Sequence, residues 1–121
     1  MSLFRRSRLV LSLLLSLAIS SEAFAQLRAG SYRVEGQNPD GTAYDGGFEL
    51  LEGPSGAWIA RWSVGNAQIL GLGLIQSGLL ALSFTVEGRP GIAIYSVEND
   101  GSLRGTWSSG GGLGTETLTA R

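Results

Sequence analysis

The chain has no cysteine, no histidine and no lysine, and carries only three prolines and one methionine in 121 residues. Without Cys or His there is no Ser-His-Asp or Cys-His nucleophile, and without Lys no Schiff-base amine. Nearly every zinc or haem site is excluded on the same ground, so neither a metal nor another cofactor is expected. Disulfides and a lipidated N-terminal cysteine are excluded as well. Charge is also sparse: nine basic residues, all arginine, against ten acids give a formal net charge of −1, with no basic run. Nucleic-acid binding through phosphate neutralisation is therefore not expected.

The N-terminus departs from the rest of the chain. Arg5, Arg6 and Arg8 precede an apolar, Leu-rich run from Leu9 to Ile19, and Ala23-Phe24-Ala25 supplies small residues where a signal peptidase cuts. Residues 1–25 thus read as a cleavable secretory leader, helical as such leaders are. The Leu-rich core favours the general export route over the twin-arginine route at which Arg5-Arg6 hints. An uncleaved anchor would need about 20 apolar residues, more than this run provides, so no stable membrane span is expected after cleavage. The mature chain, residues 26–121, keeps six arginines against nine acids, a net charge of −3. It is expected to work in the periplasm or outside the cell. At this size a disulfide-free domain sits near the lower limit for a single unaided core.

All 19 glycines follow the leader, and they interrupt every window that could carry a helical period. Alternating segments recur instead, bounded by turn residues. Strands are expected over Ser31–Gly36, Thr42–Leu51, Ala57–Val64, Gln68–Ile75, Leu79–Val86, Ile92–Val97, Ser102–Ser108 and Leu113–Thr119. Asn38-Pro39-Asp40-Gly41 and Asn99-Asp100-Gly101 are strong turn signals. Eight strands with short connections imply an antiparallel meander. Closing it into a barrel removes both sheet edges and leaves an interior wide enough for side chains or one small ligand. The expected class is therefore all-β, an eight-stranded antiparallel barrel, with a two-sheet sandwich as the alternative. Gly46, Gly71, Gly73 and Gly105 fit strongly coiled strands. Tyr32-Arg33-Val34-Glu35 with its Pro-Asp-Gly turn is echoed by Tyr95-Ser96-Val97-Glu98 with Asn-Asp-Gly. The echo reads either as a decayed duplication or as one hairpin solution used twice.

Little catalytic vocabulary remains. The glycine-rich Gly71–Gly73 and Gly110–Gly114 segments do not sit between a strand and a helix, so neither meets the context of a phosphate-binding loop. A two-carboxylate glycosidase could draw only on Asp45, Glu49 and Glu116, and Asp45 and Glu49 fall in a solvent-facing phase, so no catalytic residue is assigned. Asp40 and Asp100 lack calcium-loop spacing and read as turn formers. Glu116 is in phase with Gly114 and Leu118. If that face is inward, the carboxylate needs a partner, and a structural ion pair with Arg61 or Arg104 is expected.

Tyr44, Trp58, Trp62, Tyr95 and Trp107 alternate with apolar neighbours. They belong either to the core or to an aromatic pocket or strip for a ligand, protein or glycan, and they are the candidate binding residues. The run Ile69–Ile75 is apolar on both faces, which points to self-association through Ile69, Leu70, Leu72 and Leu74. The first expectation is a non-catalytic binding or structural module that contacts an extracellular or envelope protein or glycan. A small carrier of an apolar ligand inside the barrel is the second. A carboxylate-only hydrolase is a distant third.

One resemblance accompanies these readings. Tyr32-x-Val34-x-Gly36-x-Asn38-Pro39-Asp40-Gly41, Tyr44-x-Gly46, Trp62, Gly71-x-Gly73, Asp100-Gly101-x-Leu103-x-Gly105-x-Trp107 and Gly114-x-Glu116-x-Leu118 together resemble a family of small exported bacterial β-domains. Some members of that family bear the name fibronectin-binding protein. The resemblance spans nearly the whole mature chain, and it implies export and contact with an extracellular protein. Gly105-Thr106-Trp107 also resembles the closing strand of avidin-like barrels, which implies the barrel but no matching set of polar contacts to biotin.

Overall fold

The computed structural model describes residues 25–121; the leader expected over residues 1–25 lies outside them but for Ala25. Eight strands follow in order: β1 (Gly30–Gln37), β2 (Ala43–Glu52), β3 (Trp58–Val64), β4 (Ala67–Gln76), β5 (Leu79–Val86), β6 (Arg89–Val97), β7 (Leu103–Ser108) and β8 (Gly114–Ala120). Each pairs antiparallel with its neighbours in sequence, and β1 pairs with β8, so the sheet is a closed barrel rather than a sandwich. Val34 lies opposite Leu118 across the closing seam, and the Arg121 amide donates to the Ser31 carbonyl at 3.0 Å. No edge remains to recruit another chain.

The strands begin and end close to where alternation placed them, except that β6 starts three residues before the expected Ile92. Pro90 within it has no N–H to give a ladder. It faces Thr85 of β5, while pairing on the β7 side begins only at Ile92. The missing donor therefore falls where no acceptor strand is present.

The two Asp-Gly turns are built alike. In each an amide two residues on donates to the aspartate, Thr42 to Asp40 at 3.0 Å and Ser102 to Asp100 at 2.9 Å. The following hydroxyls donate to the same oxygens at 2.7 and 2.6 Å. Those bonds hold both carboxyls below their ordinary pKa. Gly41 and Gly101 take φ of 89° and 88°, which a side chain would resist. Yet the turn after β1 and the turn after β6 lie at opposite ends of the barrel, because the strands alternate in direction. No rotation about the barrel axis superposes the two hairpins.

The two ends of the barrel are filled differently. Tyr32, Val34, Leu50, Leu80, Leu82, Leu103 and Leu118 are fully buried around the end nearest the chain termini. Each large apolar side chain placed there stabilises the fold by about 1.5–3 kcal/mol. Leu27 packs against this cluster from the segment before β1, and the Tyr32 hydroxyl donates to the Arg28 carbonyl. That segment closes the end. A line of rings runs from here toward the other end, with centroids 5.8 Å apart for Tyr32–Phe48, 5.2 Å for Phe48–Trp62 and 5.4 Å for Trp62–Phe84.

Candidate functional site

The opposite end, ringed by the β1–β2, β3–β4, β5–β6 and β7–β8 turns, is hollow. A cavity of about 220 Å³ opens there, walled by Tyr44, Trp62, Phe84, Tyr95 and Trp107. Val64, Ile69, Val86 and Ala93 complete the apolar lining, and Asn38 and Glu116 are the remaining polar contributors.

The cavity exists because glycine faces the rings across the sheet. Tyr44 lies opposite Gly36, Phe84 opposite Gly91 and Trp107 opposite Gly114. A Cβ added at Gly91 would meet three Phe84 ring atoms at 2.2, 2.3 and 2.8 Å. That spacing belongs to a point above the ring, not beyond its edge. Gly114 meets the Trp107 indole in the same way, with Cε2 at 2.2 Å and its bonded neighbours Cζ2 and Nε1 both at 2.5 Å. Gly36 meets Cζ, Oη and Cε1 of Tyr44 at 2.3, 2.5 and 2.8 Å. Each ring therefore lies flat against the wall, one face on a glycine and the other turned to the lumen. A larger residue at those glycines would push the rings inward and consume the space.

Glu116 is buried at the base of this cavity. Its Oε1 accepts from Tyr95 Oη at 2.7 Å and Trp62 Nε1 at 3.1 Å, and its Oε2 accepts from Tyr44 Oη at 2.6 Å. Three strands thus anchor one carboxylate of a fourth. Burial first, and then the adjacent carboxylate, push both the Tyr44 and the Tyr95 phenols above the ordinary value of 10.0, so they remain donors at neutral pH. The buried indole nitrogen of Trp107 has no hydrogen-bond partner. It stands beside the Tyr44 hydroxyl and offsets a small part of the rise in that phenol's pKa.

Several expectations change against this geometry. Tyr44, Trp62, Tyr95 and Trp107 meet around the cavity, but Trp58 is buried in the core and does not line it. Its side chain shares a face with Trp62 yet sits nearer the filled end. The ion pair expected between Glu116 and Arg61 or Arg104 does not form. Both arginines occupy exposed, outward-facing positions, and the salt bridge among the described residues joins Arg33 to Glu35 at 3.3 Å. Hydroxyls and an indole take the place of a cation.

Ile69 is likewise turned inward and lines the cavity, so it is not part of the outer face with Leu70, Leu72 and Leu74. Asp45 and Glu49 are exposed on the outside, across the wall from Glu116, and the three carboxyls are not brought together. Phe84 is the wall residue missing from the sequence candidates; its partnership with Gly91 across a two-residue turn was the available signal.

The outer face over β3–β6 is apolar. Leu70, Leu72 and Leu74 are 63%, 56% and 64% exposed. Ile59 pairs with Leu72, which leads across Ser83 to Ile92, and Leu74 leads across Ala81 to Ile94. The outward positions of β1 and β8, by contrast, are Ser, Arg, Glu, Gln and Thr. No helix among the described residues is long and apolar enough to cross a membrane. Neither a known protein-family model nor a curated protein matches the chain.

Proposed function

We propose that this protein is a small exported, non-catalytic binding barrel that takes a compact, largely apolar ligand into its open end. The observation that carries this reading is the asymmetry of filling: one half of the barrel is packed solid, while aromatic residues laid flat on glycines keep the other half hollow. A cavity of about 220 Å³ lies below the usual range for drug-sized ligands, which favours a molecule no larger than one substituted ring or a short branched chain. The export leader read in residues 1–25 would place this binding outside the cytoplasm. Direct contact with a protein or glycan, expected first from the sequence, has no comparable aromatic strip to support it, since the aromatic candidates point inward.

The test is ligand-observed NMR with phenol, indole and cyclohexanol as probes. Saturation transfer from the wild-type protein, lost in Ile69→Trp, which plugs the mouth, is the expected result. Transfer that survives Ile69→Trp would remove the pocket from consideration.

A second reading rests on the outer face. The exposed stripe of Leu70, Leu72 and Leu74, with Ile92 and Ile94 beside it, is an apolar surface that a two-fold dimer would bury against its copy. Sedimentation should show a dimer that Leu72→Asp dissociates into folded monomers, with a thermal midpoint lowered only by the lost association. A wild-type monomer at high concentration would end this reading.

A further inference from the structure

Among the described residues, Glu116 supplies the only charge on the cavity lining, and no cation stands in the wall with it. The chain has no lysine or histidine, and the nearest arginines in sequence phase point outward. A buried carboxylate without a counter-cation is costly even when donors surround it. Oε2 accepts from Tyr44 alone, so acceptor capacity remains on the oxygen. Above it stand the exposed faces of Tyr44, Phe84 and Trp107, each held flat by its glycine. Aromatic faces carry negative potential, and several faces around a carboxylate attract a soft, weakly hydrated cation. The same surroundings repel an anion and give a neutral hydrocarbon nothing beyond burial.

We infer that the cavity selects a small alkylated ammonium ion, with the ammonium group over Glu116 between the rings of Tyr44, Phe84 and Trp107. The inference rests on the proposed ligand-binding role and specifies the ligand's charge. Alkyl substituents are required because a bare ammonium is strongly hydrated and would gain too little from an apolar cage.

Calorimetry with choline, tetramethylammonium and dimethylbutanol, the neutral carbon isostere of choline, tests it. Choline should bind at least about tenfold more tightly than dimethylbutanol, and tetramethylammonium should also bind, because the alkylated ammonium group is the part recognised. Glu116→Gln should abolish most of the preference for the cation. Phe84→Leu leaves every hydrogen bond of Glu116 in place and should still weaken choline several-fold, so the inference stays testable if Glu116→Gln fails to fold. Equal affinities for choline and dimethylbutanol would overturn the inference. So would binding of phenol or indole without any binding of the two cations. Both of those results leave the pocket standing. Absence of binding by every probe would remove the pocket and the inference together.

Discussion

Replacing Glu116 with leucine probes what holds the open end together. The substitution removes the acceptor of three hydrogen bonds, from Tyr95 at 2.7 Å, Tyr44 at 2.6 Å and Trp62 at 3.1 Å. Tyr95 and Trp62 are buried, and each donor left without a partner costs about 1–3 kcal/mol. Tyr44 is half-buried at the mouth and rehydrates, so its share is small. Leucine returns part of the loss by sparing the burial of a carboxylate. The net destabilisation is about 2–4 kcal/mol, against the ~5–15 kcal/mol that folds a small domain. Urea unfolding followed by tryptophan fluorescence reads this directly. Adding Tyr95→Phe to the leucine variant should restore about 1 kcal/mol or more, because the stranded hydroxyl leaves with it. If Glu116→Leu is as stable as the wild type, or more so, the carboxylate network does not support the fold and the reasoning fails.

Alkaline pH should unfold the barrel in a particular way. Burial and the Glu116 carboxylate hold the Tyr44 and Tyr95 phenols above 10.0 in the folded state. Their contribution is therefore complete below pH ~10 and is lost as pH rises past it, since the unfolded chain releases protons that the folded one retains. Phenolate absorbance should appear together with the loss of near-ultraviolet circular dichroism, and independent titration of these tyrosines in a folded protein would contradict this. Gly91→Val and Gly114→Val each place a side chain where Phe84 or Trp107 lies 2.2 Å away. The ring must tilt into the lumen, at about 1–3 kcal/mol by urea unfolding, and ligand binding should disappear before the fold does.

The eight strands were legible because alternating segments recur between short Gly-rich turns, and closure because it removes both edges, a sandwich being the other solution. Depth along the barrel was less so. Alternation put Trp58 and Trp62 on one face correctly, but the period of two carries no information about which end of the barrel a residue occupies. The double-sided apolar run of β4 hid the phase of Ile69. The glycines resolve it, since Gly71 and Gly73 stand inside, where Trp62 approaches one and the Ala81 backbone carbonyl crowds the other. The misassigned partner of Glu116 was recoverable from alternation alone. Arg61 is one residue out of phase with Trp62, and Arg104 is one residue out of phase with Gly105, so both had to point outward. The tyrosine and indole donors share Glu116's phase, and three of them converge on it because closure brings distant strands around one lumen.

The most direct test of a hollow, ligand-binding end uses the protein's three tryptophans, whose indole N–H groups report from different places. Trp107 lies free at the cavity, Trp62 is bonded to Glu116 at its base, and Trp58 sits in the filled core outside the lining. In a nitrogen-15 correlation spectrum, titration with choline and, separately, with indole should shift the Trp107 resonance most and Trp62 less, with Trp58 unmoved. Equal movement of all three, or movement of Trp58 alone, would contradict a site at the open end of the barrel.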